Sequence, residues 1–320
     1  MRVLVIGAGG MLGAKLIARL VRDGTVGGSA ISHLIRADTA LCGPIDAPFA
    51  VDTVVCDLSF PGAAAQILAG KPDLIFHLAA VVSGEAEKDF DKGYRVNLDA
   101  TRALLDAARA AGNCPKIIFT SSIAVFGAPF PDIIADDYFA TPLTSYGTQK
   151  AIAELLLNDY SRRGFVDGVA LRMPTVCVRP GLPNAAASGF FSNIIREPLV
   201  GLPAILPVDD SVRHWFASPR VAVGFLIRAA EMDLTRLGAR RTLTLPGLSC
   251  TVAEQIEALR QIAGEQAVNL ISRAPDPAIA KIVDGWPQQF DAARAIWLGF
   301  AADQSFNAII HSHIEDELDG

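Results

Sequence analysis

Tyr146 and Lys150 stand four residues apart in the run SYGTQKAIAELLL, a spacing that puts both side chains on one face of a helix. A phenol with a pKa of ~10 is a weak base at neutral pH, but an ammonium beside it stabilises the phenolate and lowers that pKa. Ser122 closes the run KIIFTSS and could hydrogen-bond the oxygen that gives up its proton. The trio reads as a site for moving a hydroxyl proton. By itself, Y-x-x-x-K decorates many solvated helix surfaces, so its meaning depends on what precedes it.

What precedes it is GAGGMLG at residues 7–13, directly after the apolar run RVLVI. Gly7 suits a tight turn, and Gly10, Met11, Leu12 and Gly13 open a helix whose N-terminal amides can face a pyrophosphate. Gly13 also permits close helix–strand packing. The spacing is G-x-x-G-x-x-G, with Leu12 where the commoner pattern places its last glycine. This context predicts dinucleotide binding. The end of the next strand, LIRADTA, offers both Arg36 and Asp38. An acidic side chain there accepts hydrogen bonds from the ribose hydroxyls of NAD, whereas a basic one can pair with the extra phosphate of NADP. Asp38 lies somewhat further from Gly13 than the ~20 residues usual, and the insertion TVGGSAISH accounts for the excess. The expectation is NAD through Asp38.

These groups need a scaffold, and the chain supplies alternating short apolar runs and amphipathic segments. Strands are expected at 2–7, 30–36, 51–56, 73–80, 116–122 and 168–174. Helices are expected at 11–23, 61–69, 91–111 and 145–163. Apolar strands separated by helices predict an α/β fold: a Rossmann-type doubly wound parallel sheet covered on both faces. Residues 1–174 form the expected dinucleotide-binding domain. Beyond it, RPGLPNAAASGFF reads as a loop folding around something. Residues 212–231 read as a strand, a Ser218 cap, Pro219 at the first helical position and a helix returning to the first domain. Residues 175–211 and 233–320 form the expected smaller substrate lobe. It includes a capping box, Thr251-x-x-Glu254, and helices near 289–298 and 305–318.

Composition excludes several classes. Of 320 residues, 51% are hydrophobic and 19% charged, so a large core is available. A net charge of −6 argues against a phosphate-backbone binder, so no nucleic-acid partner is expected. No apolar stretch reaches the ~18 residues of a membrane span. Met1-Arg2 leads straight into the first strand, which leaves no room for a signal peptide. The five scattered cysteines form no C-x-x-C pair, so no metal site is expected and the compartment reads as reducing cytoplasm. His311 and His313, about 200° apart on a helix, read as surface or lid residues.

The order GxxGxxG, DL at 57–58, HLAA at 77–80, VN at 96–97, TSSIAVFG at 120–127, YGTQK at 146–150 and LRMPTV at 171–176 resembles the extended short-chain dehydrogenase/reductases, the NAD-dependent epimerase/dehydratase type. The likeness spans nearly the whole chain. It implies that Ser122 polarises the substrate oxygen, Tyr146 accepts its proton, and Lys150 tunes the tyrosine and holds the nicotinamide ribose. It places Asp57 and Leu58 beside adenine, and Ala79, Ala80, Asn97, Pro174 and Val176 along the cofactor. His77 corresponds to a structural position. The likeness also implies a homodimer built on the helices at 91–111 and 143–163.

Within that family, VSGEAEKDFDKGYRVNLD, SSIAVFGAPFPD and VRHWFASPRVAVGFL are similar to the D-erythronate dehydrogenases, which oxidise a small sugar acid at C2. The alternative is a nucleoside-diphosphate-sugar epimerase using the same three residues. This chain has VRPG and Ser218-Pro219-Arg220 where such epimerases carry other motifs, and neither set performs the hydride transfer. A sugar acid's carboxylate needs a cation or convergent donors. Candidates are Arg179, Arg213 and Ser83, the last on the loop after the fourth strand. A non-enzymatic NAD sensor would typically lack the tyrosine or lysine, and both are present here.

Overall fold

A computed structural model describes residues 1–40, 42–181 and 188–318. In chain order the principal elements begin with β1 (Arg2–Ile6), α1 (Met11–Asp23), β2 (His33–Asp38), β3 (Ala50–Val55), α2 (Ala63–Leu68) and β4 (Leu74–His77). Then come α3 (Ser83–Lys88), α4 (Ala100–Ala111), β5 (Lys116–Ser122), α5 (Ser145–Arg162), β6 (Asp167–Met173) and β7 (Thr175–Val176). The later elements are α6 (Gly189–Leu199), β8 (Ala204–Leu206), β9 (Arg213–Ala217), α7 (Pro219–Glu231), β10 (Thr242–Thr244), β11 (Leu248–Thr251), α8 (Val252–Val268), β12 (Ile271–Arg273) and α9 (Phe306–His313).

Seven strands make the main sheet in the order β10-β6-β5-β4-β1-β2-β3. β1 pairs in parallel with both β2 and β4, so the chain reverses its direction of winding there. That reversal is the topological switch point at which α/β sheets of this kind bind ligands. β2–β3 and β4–β5 are parallel as well. The fold class is therefore the expected Rossmann-type α/β architecture.

Local sequence explains the elements around the switch point. β1 carries Val3, Leu4, Val5 and Ile6, all buried, because helices cover both faces of a parallel sheet. α1 buries Leu16, Ile17 and Leu20 at helical spacing. It stops at Gly24, whose φ of 65° and bond to the Leu20 carbonyl form a left-handed cap. α5 starts at Thr144, whose hydroxyl accepts the Gly147 amide at 3.0 Å.

Several elements differ from the sequence expectation. The single helix expected over 91–111 is a turn at Phe90–Gly93, a π-helical segment at Tyr94–Asp99, and then α4. The wider π turn carries Asn97 inward to buried hydrogen bonds, which hydropathy periodicity does not register. α6 begins within the stretch read as a loop, and residues 182–187 of that stretch lie outside the described residues. A helix at Pro277–Asp284, capped by Asp276, has no counterpart in the sequence expectation, and the helix expected at 289–298 shrinks to Ala293–Trp297. His313 is 3% exposed rather than a surface residue, because α9 turns it with Ile309 and Ile310 into the core, while His311 is exposed.

The chain forms two compact units. The first comprises Met1–Val125, Thr144–Arg172 and Val223–Leu243; the second comprises Phe126–Leu143, Met173–Ala222 and Thr244–Gly320. The first has a core of sheet and helix residues including Leu4, Ile75, Leu104, Phe119 and Leu157. The second has its own, including Phe191, Ile194, Phe216, Leu259 and Ile309. In the second unit β9 pairs antiparallel with β11 and parallel with β7. The predicted capping box is present: Thr251 and Glu254 satisfy each other's backbone amides.

Candidate active site

The glycine loop sits at the end of β1, where the backbone runs too close to its neighbours for side chains. Gly7 has φ +87°, and a Cβ there would lie 2.7 Å from the Ala79 amide nitrogen. A Cβ on Gly13 would lie 2.1 Å from the Gly7 carbonyl oxygen. Both distances are impossible for a real Cβ, so the loop folds over β4 and into α1 only as glycine. Gly10 caps α1 with no side-chain bond, and the first turn, Met11 to Gly13, carries no acidic residue. The first turn thus puts the positive end of the helix dipole beside the loop with no carboxylate of its own to oppose a pyrophosphate.

At the end of β2, Asp38 is half-buried and accepts the Gly9 amide at 2.8 Å. The Thr39 hydroxyl and the Ala40 amide also donate to its other oxygen, both at 3.3 Å. Of the about four lone-pair sites of a carboxylate, these bonds orient the group and leave about one for a ribose hydroxyl. Arg36, the alternative that would favour NADP, is 5% exposed. Its guanidinium donates to the Gly43 carbonyl at 2.8 Å and the Thr53 hydroxyl at 2.5 Å, within the sheet edge. These residues fit NAD.

Around this loop, Ala79 is held by its amide to Ile6, and Ala79 and Ala80 are half-buried. Asp57 accepts the Ser59 amide at 2.9 Å, beside buried Leu58. Asn97 is 1% exposed; it clamps both backbone groups of Val81 and donates to Gln149 Oε1 at 2.7 Å. It therefore braces the loop after β4 against α5, next to Lys150. Ser83 begins α3, and α3 packs on α5, where Glu87 accepts the Ser145 amide at 2.5 Å.

Ser122, Tyr146 and Lys150 converge through one close approach. A Cβ on Gly147 would fall 2.1 Å from the Ala124 carbonyl oxygen, so α5 starts in direct contact with the turn following Ser122. Ser122 Oγ accepts the Ala124 amide at 3.1 Å. Lys150 is 1% exposed; its Nζ donates to the Thr120 carbonyl at 2.8 Å and lies 4.6 Å from the Phe119 ring centre and 5.7 Å from that of Tyr146. Burial lowers the Lys150 pKa to about 7, with the Glu154 carboxylate working the other way. Lys150 is thus poised between its charged and neutral forms at neutral pH.

His77 lies behind this cluster, 2% exposed, with Nε2 2.9 Å from the Thr101 hydroxyl. Burial first, then the nearby Lys150 charge, lower its pKa to about 3, so it is a neutral structural group.

The remaining sequence-selected residues belong to the second unit. Pro174 is buried, and Val176, in β7, is buried and pairs with Ala217. Arg179 is half-buried and donates to the Val176 carbonyl and the Ser188 hydroxyl, both at 3.0 Å. Arg213 donates to Ser249 and lies 3.3 Å from the Glu254 carboxylate. That carboxylate already answers part of its charge.

Sequence reading passed over Gly9, Gly147 and a buried trio behind the site, Ser121, Glu154 and Arg172. Gly147 was visible inside Y-G-x-x-K, but only the contact with Ala124 explains it. Glu154 and Arg172 were readable as charges at inward positions of an amphipathic helix and an apolar strand.

The chain is similar to known proteins over nearly its whole length. Residues 3–230 match the profile of the family described as NAD dependent epimerase/dehydratase. The chain is 47% identical to D-erythronate dehydrogenase of Cupriavidus necator, over 99% of this chain and 98% of that protein. It is 41% identical to D-erythronate dehydrogenase of Haemophilus influenzae, over 99% and 100% of the two chains. A solved structure of a nucleoside-diphosphate-sugar epimerase from Agrobacterium tumefaciens superposes with a TM-score of 0.97 at 59% identity, covering 100% of this chain and 95% of that one.

Proposed function

The chain belongs to the NAD-dependent epimerase/dehydratase family, and from that premise we propose that it is a dehydrogenase of a small, D-erythronate-like sugar acid, oxidising the C2 hydroxyl to a 2-oxo acid. The observation that carries the reading is the convergence of Ser122, Tyr146 and Lys150 beside the switch point, in a chain similar over its full length to two D-erythronate dehydrogenases. NAD, when bound, supplies the acceptor for the hydride that leaves C2.

The chain's own groups manage the proton and the developing carbonyl. Tyr146, as phenolate, takes the C2 hydroxyl proton, and Lys150 lowers the cost of that phenolate with its charge. Ser122 donates to the same oxygen as it becomes a carbonyl. Gly7, Gly10, Met11, Leu12 and Gly13 hold the pyrophosphate, and Asp38 the adenosine ribose. We assign Asp57 and Leu58 to adenine, and Ala79, Ala80 and Asn97 to the rest of the cofactor; Pro174 and Val176 enter by the family likeness alone. For the substrate carboxylate the candidates are Arg179 and Arg213, the latter already 3.3 Å from the Glu254 carboxylate. Ser83 supplies a further hydroxyl.

An epimerase would use the same three residues, and the test separates the two by net reduction. The enzyme is mixed with NAD and four- to six-carbon aldonic acids, and in parallel with UDP- and GDP-sugars. Stoichiometric NADH from an aldonate supports the proposal. Inversion of a sugar nucleotide without net NADH replaces it with the epimerase.

The protein is further proposed to work as a homodimer through α4 and α5. α5 exposes Leu155 (71%), and α4 exposes the small residues Ala103 and Ala110, which permit close packing. A monomer mass by light scattering at micromolar concentration would exclude it. No described helix is long and apolar enough to cross a membrane. The five free cysteines support a cytoplasmic location.

A further inference from the structure

Behind Lys150 lies a buried charged cluster that the reaction as described does not use. Glu154, one helical turn beyond Lys150 on α5, is 3% exposed. Its carboxylate accepts the Ser121 hydroxyl at 2.5 Å from β5 and a forked pair of bonds from Arg172 on β6, at 3.0 Å from Nε and 2.8 Å from Nη2. Ser121 and Arg172 are likewise buried, at 3% and 7%. Removing an ion pair from water is expensive, and apolar residues of similar size often serve stability as well or better. Its position suggests a different use. Ser121 immediately precedes Ser122, and Glu154 shares its helix with Tyr146 and Lys150.

We propose that Glu154 is a positioning residue: its carboxylate holds the Lys150 ammonium in its charged form, to a degree set by Arg172, and ties the strand end bearing Ser122 to the helix bearing Tyr146. This rests on the role given to Lys150 above. The groups facing Lys150 are few. From its own helix come Tyr146 and Glu154; from β5 come the Thr120 carbonyl and the Phe119 ring; from β4 comes neutral His77. Glu154 is the only carboxylate among them, and Arg172 stands behind it.

The arrangement makes opposite predictions for the two halves of the pair. Glu154→Gln keeps the side-chain volume and an oxygen for Ser121, but leaves Lys150 and Arg172 as two buried cations. Arg172→Met leaves Glu154 acting on Lys150 undivided. A purely mechanical brace would be damaged by both changes in the same direction.

The test is kcat/KM for the sugar acid against pH at saturating NAD, in wild type, E154Q, R172M and the double variant. The alkaline limb, where Lys150 loses its proton, moves down by about one pH unit in E154Q and up by about half a unit in R172M. In the double variant it lies between those of wild type and E154Q, because the nearer charge of the removed pair was the attractive one. If E154Q shows the wild-type limb, or if both single variants shift the same way, the inference is overturned. Near-UV circular dichroism establishes that each variant is folded. Should a single variant not fold, the double variant, which removes the Glu154–Arg172 ion pair as a whole, decides: a limb at the wild-type position overturns the inference. Lys150→Ala and Tyr146→Phe are run alongside. Wild-type turnover in those two would sink the functional proposal itself, which is a different result from a failure of Glu154.

Discussion

Gly147→Ala probes the contact that brings the catalytic groups together. The added Cβ would stand 2.1 Å from the Ala124 carbonyl oxygen, whereas contacts below 3.0 Å are essentially never formed. Both partners are backbone, so no side chain can swing aside, and α5 must part from the turn after Ser122 by about 1 Å. Tyr146 is the adjacent residue and moves with the helix. Misplacement of ~1 Å typically costs ~10²-fold in rate, so kcat is expected to fall by about that factor. Overpacking costs ~1–3 kcal/mol, partly offset by the ~0.5–1 kcal/mol that alanine gains over glycine within a helix. A chain of this size loses ~2–4 °C of Tm per kcal/mol, so a drop of several degrees should accompany the loss of rate. The assay is NADH formation under saturating conditions, with NAD affinity followed by fluorescence and Tm by calorimetry. NAD affinity should fall less than kcat, because the glycine loop and Asp38 lie on other elements and only Lys150 moves with α5. Gly224→Ala is the control: it sits in α7 with nothing within 4 Å of its would-be Cβ, and should be neutral or slightly stabilising. Wild-type kcat in Gly147→Ala would refute the argument that this contact sets the tyrosine.

Tyr146→Phe should lower turnover by ~10²–10⁴-fold while sparing NAD affinity, as stopped-flow and binding measurements would show, since the phenol acts in the transition state. Asp38→Ala should erode discrimination for NAD over NADP by ~1.5–3 kcal/mol, measured as the ratio of kcat/KM values; a wild-type preference for NADP would reject the assignment. His77 and His214 are both held near pKa 3 by burial, below their unfolded value of 6.5. Between those pH values the unfolded chain binds protons that the native one does not. Stability therefore falls on acidification through that window by up to ~1.4 kcal/mol per pH unit for each histidine. Urea unfolding of His77→Gln, which keeps a partner for Thr101, should show a shallower pH slope than wild type; equal slopes would contradict the shift.

The alternation of strands and helices was legible because it is written in local hydropathy: Val3–Ile6, Leu74–Phe76 and Ile117–Phe119 are continuous apolar runs, and α1 repeats its apolar residues every three or four positions. The chemistry was legible because the residue types are rare in combination: a glycine loop at the end of the first strand, an acid at the end of the next, and Ser, Tyr and Lys at their spacings. What the sequence could not show were relations between distant segments. Asn97 reaches Val81 and Gln149 only because a π turn rotates it inward, and periodicity blurs such a turn into one long helix. Arg36 and Asp38 are two residues apart, and one dimension favoured Asp38 without disposing of Arg36. Only the third places Arg36 against Thr53 and Gly43, and Asp38 beside Gly9. Likewise, the sequence by itself determined that Tyr146 and Lys150 share a helix face. Tertiary packing alone decided that Gly147 sets that helix against the turn after Ser122, and that Lys150 loses its water and comes under the charge of Glu154. Backbone periodicity is a property of neighbours along the chain, whereas close approach and desolvation arise between segments the chain keeps far apart.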